Sequence, residues 1–565
     1  MNKCIENLNR ERGTLFSLIN GDVYEGIVEI NGEKVLIRID LGHGFPEELP
    51  LISVPEVRRF VPHCSNGLLC LFERDSIMII PDMGEQLLLD CYDRAIEILS
   101  MDPQHQKNEI LREFIAYWSE ASRENGILLF SSLRGASLHE FKQYTAVGES
   151  YNRLVVSESI SGSFNLLKKY MNIDADESQK MVNIPVFRIR LRNTVIPPLT
   201  KAPTWRMIRT FIADNITASQ KKWFNKMLDE KLKIVNRIIM LIIPSPFGDQ
   251  VACYHIIHQQ KKTLSLRNIS TCKVEPVLTA RIDRDYMLAR GGATKTMEGK
   301  SVLLIGCGSI GGFLAADICH CGIGTLDILD KDILSPDNVY RHILGFSDAI
   351  IGKYKSDTMK QYLEDHFPYT DIDALSFKDR RAETFIQDTE RLLSYDLIVS
   401  ATGDPSLNLK INDIIRNQQK QIPFVVCFNE PYSIGGHAIA ILSDGGCLRC
   451  LYSDPLTGNL VAYQGSFVDP DQSFTKTLSG CAGSFVEYSA LDSQQTATMT
   501  ARLIMEILEG RCTESKIVSW VGQSTTLENE GFKTSSYYSE LVHEQRTFVS
   551  RPFSSNQRCK TCSNL

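Results

Sequence analysis

Val302-Leu303-Leu304-Ile305 runs directly into Gly306-Cys307-Gly308-Ser309-Ile310-Gly311, and this junction decides the fold. A β-rich strand, a G-x-G-x-x-G turn and a following helix form the nucleotide-binding turn of a parallel α/β sheet. The glycines let the backbone approach phosphates. The helix N-terminus adds unpaired N–H groups and the positive end of a dipole. Asp330 ends the next strand, at the distance where an acid binds ribose hydroxyls.

The alternation continues outward. Strands are predicted at Ser301–Ile305, Thr325–Leu329, Leu397–Ser400 and Phe424–Cys427. Helices are predicted at Gly311–Cys321, Lys353–His366 and Ser406–Gln419. This pattern specifies a parallel sheet wrapped by helices.

A dehydrogenase is the default owner of such a glycine turn, but the residues downstream of it do not suit one. Asp332, Asn338 and Arg341 come next, then Lys355 within Ile351-Gly352-Lys353-Tyr354-Lys355, then Asp404 after a further strand. Hydride transfer needs no such clamp. Phosphoryl chemistry does, because Arg and Lys neutralise triphosphate charge and an Asp holds Mg²⁺. Each residue alone reads best as a solvated surface group; the ordered set points to ATP.

From Asp285-Tyr286 and Arg290 through Leu508, the chain resembles the adenylating domain of ubiquitin-activating enzymes. The molybdopterin- and thiamine-biosynthesis adenylating (ThiF-type) enzymes share it. The family pattern is a Gly-rich loop, Asp-x-Asp, Asn-x-x-Arg, Gly-x-x-Lys and a later Asp. It is present as Gly306/Gly308/Gly311, Asp330/Asp332, Asn338/Arg341, Gly352/Lys355 and Asp404. The resemblance implies that Asp330 binds ribose and that Asn338, Arg341 and Lys355 bind the phosphates of ATP. It implies that Asp404 organises Mg²⁺ and the substrate carboxylate. It also implies a homodimer in which Arg290 reaches the partner subunit's ATP.

Cys447-Leu448-Arg449-Cys450 and Cys559-Lys560-Thr561-Cys562 are two C-x-x-C pairs, and four thiolates suit tetrahedral Zn²⁺. Zinc–thiolate binding worth roughly 10–16 kcal/mol would offset the cost of ordering the polar tail. The competing reading is a redox C-x-x-C, but nothing thioredoxin-like surrounds either pair. Cys481 lies in the small-residue loop Leu478-Ser479-Gly480-Cys481-Ala482-Gly483-Ser484, ahead of a helix-like segment from Phe485 to Leu508. A cysteine before a helix can have a lowered thiol pKa. In thioester-forming members of the family the acceptor cysteine sits here.

Towards the N-terminus, β-rich Leu15–Ile19, Val23–Ile30 and Val35–Ile39 are separated by Asn-Gly turns, and Gln86–Ser100 and Gln106–Ser122 carry helical spacing. Gly44-Phe45-Pro46-Glu47-Glu48-Leu49-Pro50 leads to His63-Cys64-Ser65-Asn66-Gly67-Leu68-Leu69-Cys70-Leu71. This resembles a ubiquitin-conjugating enzyme, with Cys70 the thioester acceptor and Cys64 the alternative. His-Pro-Asn, the usual oxyanion element, is absent, which leaves open whether His63 or Asn66 assists.

A conjugating module ahead of an adenylating one resembles the fused ubiquitin-transferase-like enzymes of bacterial antiphage CBASS operons. Arg341-His342-x-Leu344-Gly345 and Glu113-Phe114-x-x-Tyr117-Trp118 are typical of those fusions. There the activated partner is a cGAS-like nucleotidyltransferase, whose C-terminus is attached to a target.

The expected architecture is multidomain. An α+β ubiquitin-conjugating-like domain spans 1–134, an α/β linker 135–277, a Rossmann-like adenylating domain 278–522 and a zinc-anchored tail 523–565. The linker, with strand-like Ile184–Leu191 and Ile238–Ile243 around an amphipathic Ser219–Val235, carries no assignable chemistry. A net charge of −7 over 565 residues argues against wholesale nucleic-acid binding. The charged N-terminus and the lack of a long apolar run predict a cytoplasmic protein that neither carries a signal peptide nor spans a membrane. In that compartment the 16 cysteines read as metal ligands, nucleophiles or small buried hydrophobes such as Cys91, Cys253, Cys319, Cys321 and Cys427, rather than disulfides. The competing enzyme reading is a sulfur-carrier or ubiquitin-like-protein adenylating enzyme whose N-terminal domain is non-catalytic. A non-enzyme reading, a scaffold with a vestigial ATP site, sits poorly with the intact set of Arg341, Lys355 and Asp404.

Overall fold

The computed structural model describes residues 3–42, 44–57, 60–72, 76–129, 133, 141–148, 154–157, 182–269, 272–349, 352–376, 380–419, 421–477 and 484–563. The chain forms two compact units, Met1–Ile282 and Asp283–Leu565.

The first unit opens with helix Lys3–Arg12 and an antiparallel sheet. Its strands lie in the order Ser17–Asn20, Val23–Ile30, Glu33–Asp40, Leu51–Ser53, Leu68–Leu69 and Cys64–Ser65. Asn31 and Gly32, both at positive φ, make the tight turn between the second and third strands. Val35, Ile37 and Ile39 alternate inward and share a core with Leu88, Cys91, Ala95 and Leu99 of helix Gly84–Ser100. The helix expected over Gln106–Ser122 is two, Pro103–Arg112 and Phe114–Ala121, broken at Glu113.

The same unit then closes a β-barrel from strands Val182–Arg190, Lys231–Ile243, Gln250–Ser265, Lys273–Arg281, Arg123–Leu129, Leu154–Ser157 and Phe141–Gly148. The barrel's first strand in the chain starts at Arg123, ahead of the α/β linker expected over 135–277, and helices Trp205–Asn215 and Ala218–Asp229 fall within the same stretch. The amphipathic stretch expected over Ser219–Val235 ends as a helix at Asp229 and becomes strand at Lys231. The unbroken apolar run Ile238–Ile243 is buried on both faces. Ile238, Met240 and Ile242 join one cluster with Val186 and Cys253, while Ile239, Leu241 and Ile243 join the helices and Trp118. Trp118 Nε1 donates to the Val277 carbonyl at 2.9 Å and ties helix Phe114–Ala121 to the barrel.

The second unit is an eight-stranded sheet in the order Asp371–Ala374, Thr325–Leu329, Ser301–Ile305, Leu397–Ser400, Phe424–Asn429, Gly435–Ile441, Lys516–Val521, Phe548–Pro552. The first five strands are parallel and the last three antiparallel. Ser301–Ile305 lies between two strands that both follow it in the chain, Thr325–Leu329 on one side and Leu397–Ser400 on the other. That is the topological switch point, where α/β sheets open a crevice at the carboxyl ends of their strands. Helices Ser309–His320 and Ala490–Leu508 pack on one face. The tail contributes an edge strand, Phe548–Pro552, rather than only a polar extension. No helix among the described residues is long and apolar enough to cross a membrane.

Candidate functional site

The switch point gathers the expected nucleotide residues. Two adjoining cavities of about 600 and 230 Å³ share Gly308, Asp332, Lys355, Ala401 and Thr402. Asn338 and Arg341 line the larger; Gly306, Asp330 and Asp404 line the smaller. Arg290 is exposed at the end of helix Arg284–Arg290 and lines neither.

The three loop glycines do different work. Gly306 has φ +91°, a conformation L side chains rarely adopt. A Cβ on Gly311 would lie 2.0 Å from the Gly306 carbonyl oxygen, so only glycine lets the helix close on the turn. A Cβ on Gly308 would meet nothing within 4 Å, because that side opens on the cavity. Asp330 accepts the Cys307 N–H at 2.6 Å and the Asp332 N–H at 2.8 Å, bracing the loop. Burial raises its carboxyl pKa, against those two bonds.

Lys355 Nζ lies 3.2 Å from Asp332, with the side chain only 11% exposed. Arg341 ends the 3-10 helix Pro336–Arg341; its Nη1 donates to the Val486 carbonyl at 3.4 Å. Its guanidinium stands 5.7 Å from the ring centres of both Phe485 and Tyr488. Asp404 caps helix Pro405–Arg416, accepting from Ser406 N–H at 2.9 Å and Leu407 N–H at 3.1 Å. The site therefore offers cations, Arg341 and Lys355 among them, a helix N-terminus and carboxylates around one crevice. That set can neutralise a polyphosphate and hold a divalent ion.

Sequence reading missed three lining residues. Arg380, at φ +60°, donates to Ser356 Oγ at 3.0 Å and Asp357 Oδ1 at 2.9 Å beside the smaller cavity. No motif announces it. Tyr488 hydroxyl lies 3.0 Å from Ser309 Oγ on the larger cavity. His342, within the Arg341-His342 run, faces the glycine loop. Its Nδ1 accepts the Leu344 N–H at 3.1 Å, so Nε2 carries the proton and donates to the Cys307 carbonyl at 2.8 Å.

Burial lowers the His342 pKa, opposed by the bond to Cys307. The unfolded chain takes up a proton on this residue as pH falls below about 6.5, while the folded chain refuses it until its own lower pKa. Stability is thus lost as pH drops through that window. Denaturant titrations of wild type and His342→Gln between neutral pH and pH 5 should show a shallower slope for the variant; equal slopes would refute the assignment.

Cys481 lies outside the described residues. Its flanks form a short hairpin, Thr475–Thr477 with Ser484–Val486. The helix expected from Phe485 instead starts at Ala490, where Ser489 and Asp492 cap each other reciprocally. Phe485 and Val486 are strand, paired with Lys476 and Thr475.

The four C-x-x-C thiols converge. Cys447–Cys450, Cys447–Cys559 and Cys450–Cys562 sulfurs are 3.8, 3.7 and 3.5 Å apart. A tetrahedral site with metal–sulfur bonds of about 2.3 Å has sulfur–sulfur edges near 3.8 Å, so the cluster could hold a metal ion. The Asn556 N–H donates to Cys450 Sγ at 3.2 Å, and Thr561 Oγ1 donates to Asp413 at 2.7 Å.

In the first unit, Asn66 (φ +50°) and Gly67 (φ +84°) turn the hairpin Cys64–Ser65/Leu68–Leu69. Both central residues lie at positive φ, as a type I′ turn demands, and this accounts for Asn66 structurally. Cys64 packs on the core and burial raises its thiol pKa, which disfavours the thiolate. Cys70 is exposed.

A family model described as the ThiF family matches residues 282–534. The ATP-dependent ubiquitin transferase-like protein Cap2 of Pseudomonas aeruginosa is 26% identical over 475 residues, 81% of each chain. Its namesake from Escherichia coli is 24% identical over 532 residues, 82% of this chain and 83% of that one. A crystal structure of E. coli MccB is 14% identical over 47% of this chain and 66% of that chain, with a TM-score of 0.33. Residues 282–534 thus match the ThiF family, the chain is similar over about four-fifths of its length to the Cap2 ubiquitin transferase-like proteins, and it is an ATP-dependent adenylyltransferase.

Proposed function

We propose that this enzyme adenylates the C-terminal carboxylate of a protein partner, captures the acyl group on Cys481 and passes it to Cys70 for conjugation to a target. The observation that carries the reading is the convergence of Asn338, Arg341, Lys355 and Asp404 on the glycine loop at the switch point. The carboxylate attacks the α-phosphate of ATP and pyrophosphate leaves, its charge met by Arg341 and Lys355. Cys481 displaces AMP from the acyl adenylate, and thioester exchange loads Cys70. Asp404 would hold Mg²⁺, which supplies charge neutralisation on the phosphates. Asp330 would take the ribose.

The exposed Cys70 after an antiparallel meander, followed by helices, supports a ubiquitin-conjugating role for residues 1–134. The resemblance of this order of modules to the fused enzymes of CBASS operons points to a cGAS-like nucleotidyltransferase as the activated partner, in cytoplasmic antiphage defence. A homodimer built on the adenylating units would let Arg290 reach the partner subunit's ATP. Co-expression with neighbouring operon proteins, followed by peptide mass spectrometry, tests this. The expected product joins the nucleotidyltransferase C-terminus to an acceptor residue. Finding only other C-termini, or none, would refute the partner assignment.

Zn²⁺ fits the four thiols, and one ion per chain is expected. Elemental analysis should find it in wild type and lose it in the double variant Cys559→Ser/Cys562→Ser. A metal-free wild type would sink the assignment. Strand Phe548–Pro552 keeps its own ladder with Lys516–Val521, so losing the ion should release residues 553–563 to protease before it unfolds the domain.

A further inference from the structure

The described residues beside Cys70 hold a cluster that the relay does not use. The hairpin register pairs Cys64 with Leu69 and Ser65 with Leu68. One step outward, the Cys70 N–H donates to the His63 carbonyl at 2.7 Å. His63 and Cys70 therefore face each other through their backbones one step beyond the hairpin ladder. Cys70 is exposed there, whereas Cys64 and Leu69 join the core.

The His63 side chain is 10% exposed and stands between two carboxylates. Nε2 is 3.3 Å from Glu109 Oε2, and Nδ1 is 3.4 Å from Glu113 Oε2. Glu109 comes from helix Pro103–Arg112, and Glu113 is the break before helix Phe114–Ala121. His63 has φ +55°, which turns its N–H off the hairpin ladder to donate to the Tyr117 hydroxyl at 2.8 Å. Burial pushes the Tyr117 phenol up to about 12, so it stays a neutral acceptor. A histidine rarely adopts this backbone region, and the surrounding contacts hold it there.

A neutral imidazole has one N–H and one lone pair. It can donate to only one of the two acids; the other faces a lone pair. One added proton completes the second bond. The arrangement sets an imidazole with a carboxylate at each nitrogen next to an exposed thiol's backbone.

We propose that His63, held by Glu109 and Glu113, accepts the proton of a primary ammonium group that attacks the Cys70 thioester. This rests on Cys70 as acyl carrier. The carboxylates draw in a lysine-type acceptor, and His63 takes one proton from its nitrogen. The freed amine bonds to the thioester carbonyl carbon. The carbon–sulfur bond breaks, and the Cys70 sulfur leaves as thiolate, taking the second proton that the nitrogen sheds. The products are an amide, the Cys70 thiol and one proton, which passes from His63 to water. Among the described residues, the charged and titratable groups around the cluster are Glu109, Glu113, Tyr117, Cys70, Glu120, whose charge acts on Tyr117, and Arg112, which lies 3.6 Å from Glu109.

The test loads the full chain with partner protein, ATP and Mg²⁺, then removes ATP. Decay of the Cys70 thioester is monitored on non-reducing gels with lysine or with dithiothreitol as acceptor. The ratio of the two rates cancels differences in loading. His63→Gln should lower the lysine-to-thiol ratio about 10²-fold and flatten the pH dependence of lysine discharge. Glu109→Gln/Glu113→Gln leaves the His63–Tyr117 bond in place and should lower the ratio as well. An unchanged ratio in both variants overturns the role of the cluster. A wild-type chain that forms no Cys70 thioester overturns the acyl-carrier reading itself, and this proposal with it.

Discussion

Asp404→Asn is expected to cut partner-dependent ATP–pyrophosphate exchange by at least about 10²-fold while leaving the protein folded. The side chain has two roles that this substitution separates. One oxygen caps helix Pro405–Arg416 through Ser406 and Leu407. Asparagine caps as well as aspartate, so the helix keeps its start. What is lost is the negative charge on the smaller cavity, opposite the glycine loop. Asp404→Ala loses both and should also be destabilised by about 1 kcal/mol. Exchange at the wild-type rate in Asp404→Asn would remove the residue from the chemistry and leave it a cap.

Cys481→Ala is expected to abolish thioester formation on both cysteines while adenylate still forms. Arg341→Ala should form neither adenylate nor thioester. Cys70→Ala should accumulate a reductant-sensitive adduct on Cys481. The order comes from the chemistry. Adenylation makes the carboxyl carbon electrophilic, and a thiol near the adenylate attacks first. Exchange between two thioesters is nearly balanced in free energy, so consumption at Cys70 sets its direction. The hairpin Thr475–Thr477/Ser484–Val486 that flanks Cys481 is anchored at the nucleotide site. Arg341 donates to Val486 and stacks on Phe485. Lys476 bonds Glu487 at 2.7 Å. A non-reducing gel with partner protein, ATP and Mg²⁺ reads all three variants. If Cys481→Ala loads Cys70 at the normal rate, acyl transfer runs directly from adenylate to Cys70 and the relay is wrong.

The adenylating half was legible because its signals are local. Ser301–Ile305, Thr325–Leu329 and Leu397–Ser400 occur at the expected bounds, since parallel strands buried on both faces read as largely apolar runs, here interrupted by Asp327. The glycine loop, Asp330 and Asp404 each sit at the end of such a strand, so motif order maps onto the crevice. Nothing local announces Arg380 or Tyr488. They reach the cavities through the packing of distant segments. Phe485-Val486 has helical neighbours in sequence, but its pairing with Lys476 and Thr475 is set by residues earlier in the chain.

The first unit shows the same limit. The β-meander and helix Gly84–Ser100 are dictated by alternation and Asn-Gly turns. Barrel closure is not, because Lys273–Arg281 pairs in parallel with the distant Arg123–Leu129. The break at Glu113 was equally hidden. Gln106–Ser122 keeps helical spacing throughout, yet the chain bends there, and the Glu113 carboxylate lies against the His63 ring.

The central claim is that the chain activates a protein's C-terminal carboxylate. The most direct test is ATP–pyrophosphate exchange with a partner whose C-terminus is either free or amidated. Exchange is expected with the free carboxylate and only background exchange with the amide, since only a carboxylate can attack the α-phosphate. Equal exchange with both, or exchange that needs no partner, would contradict it.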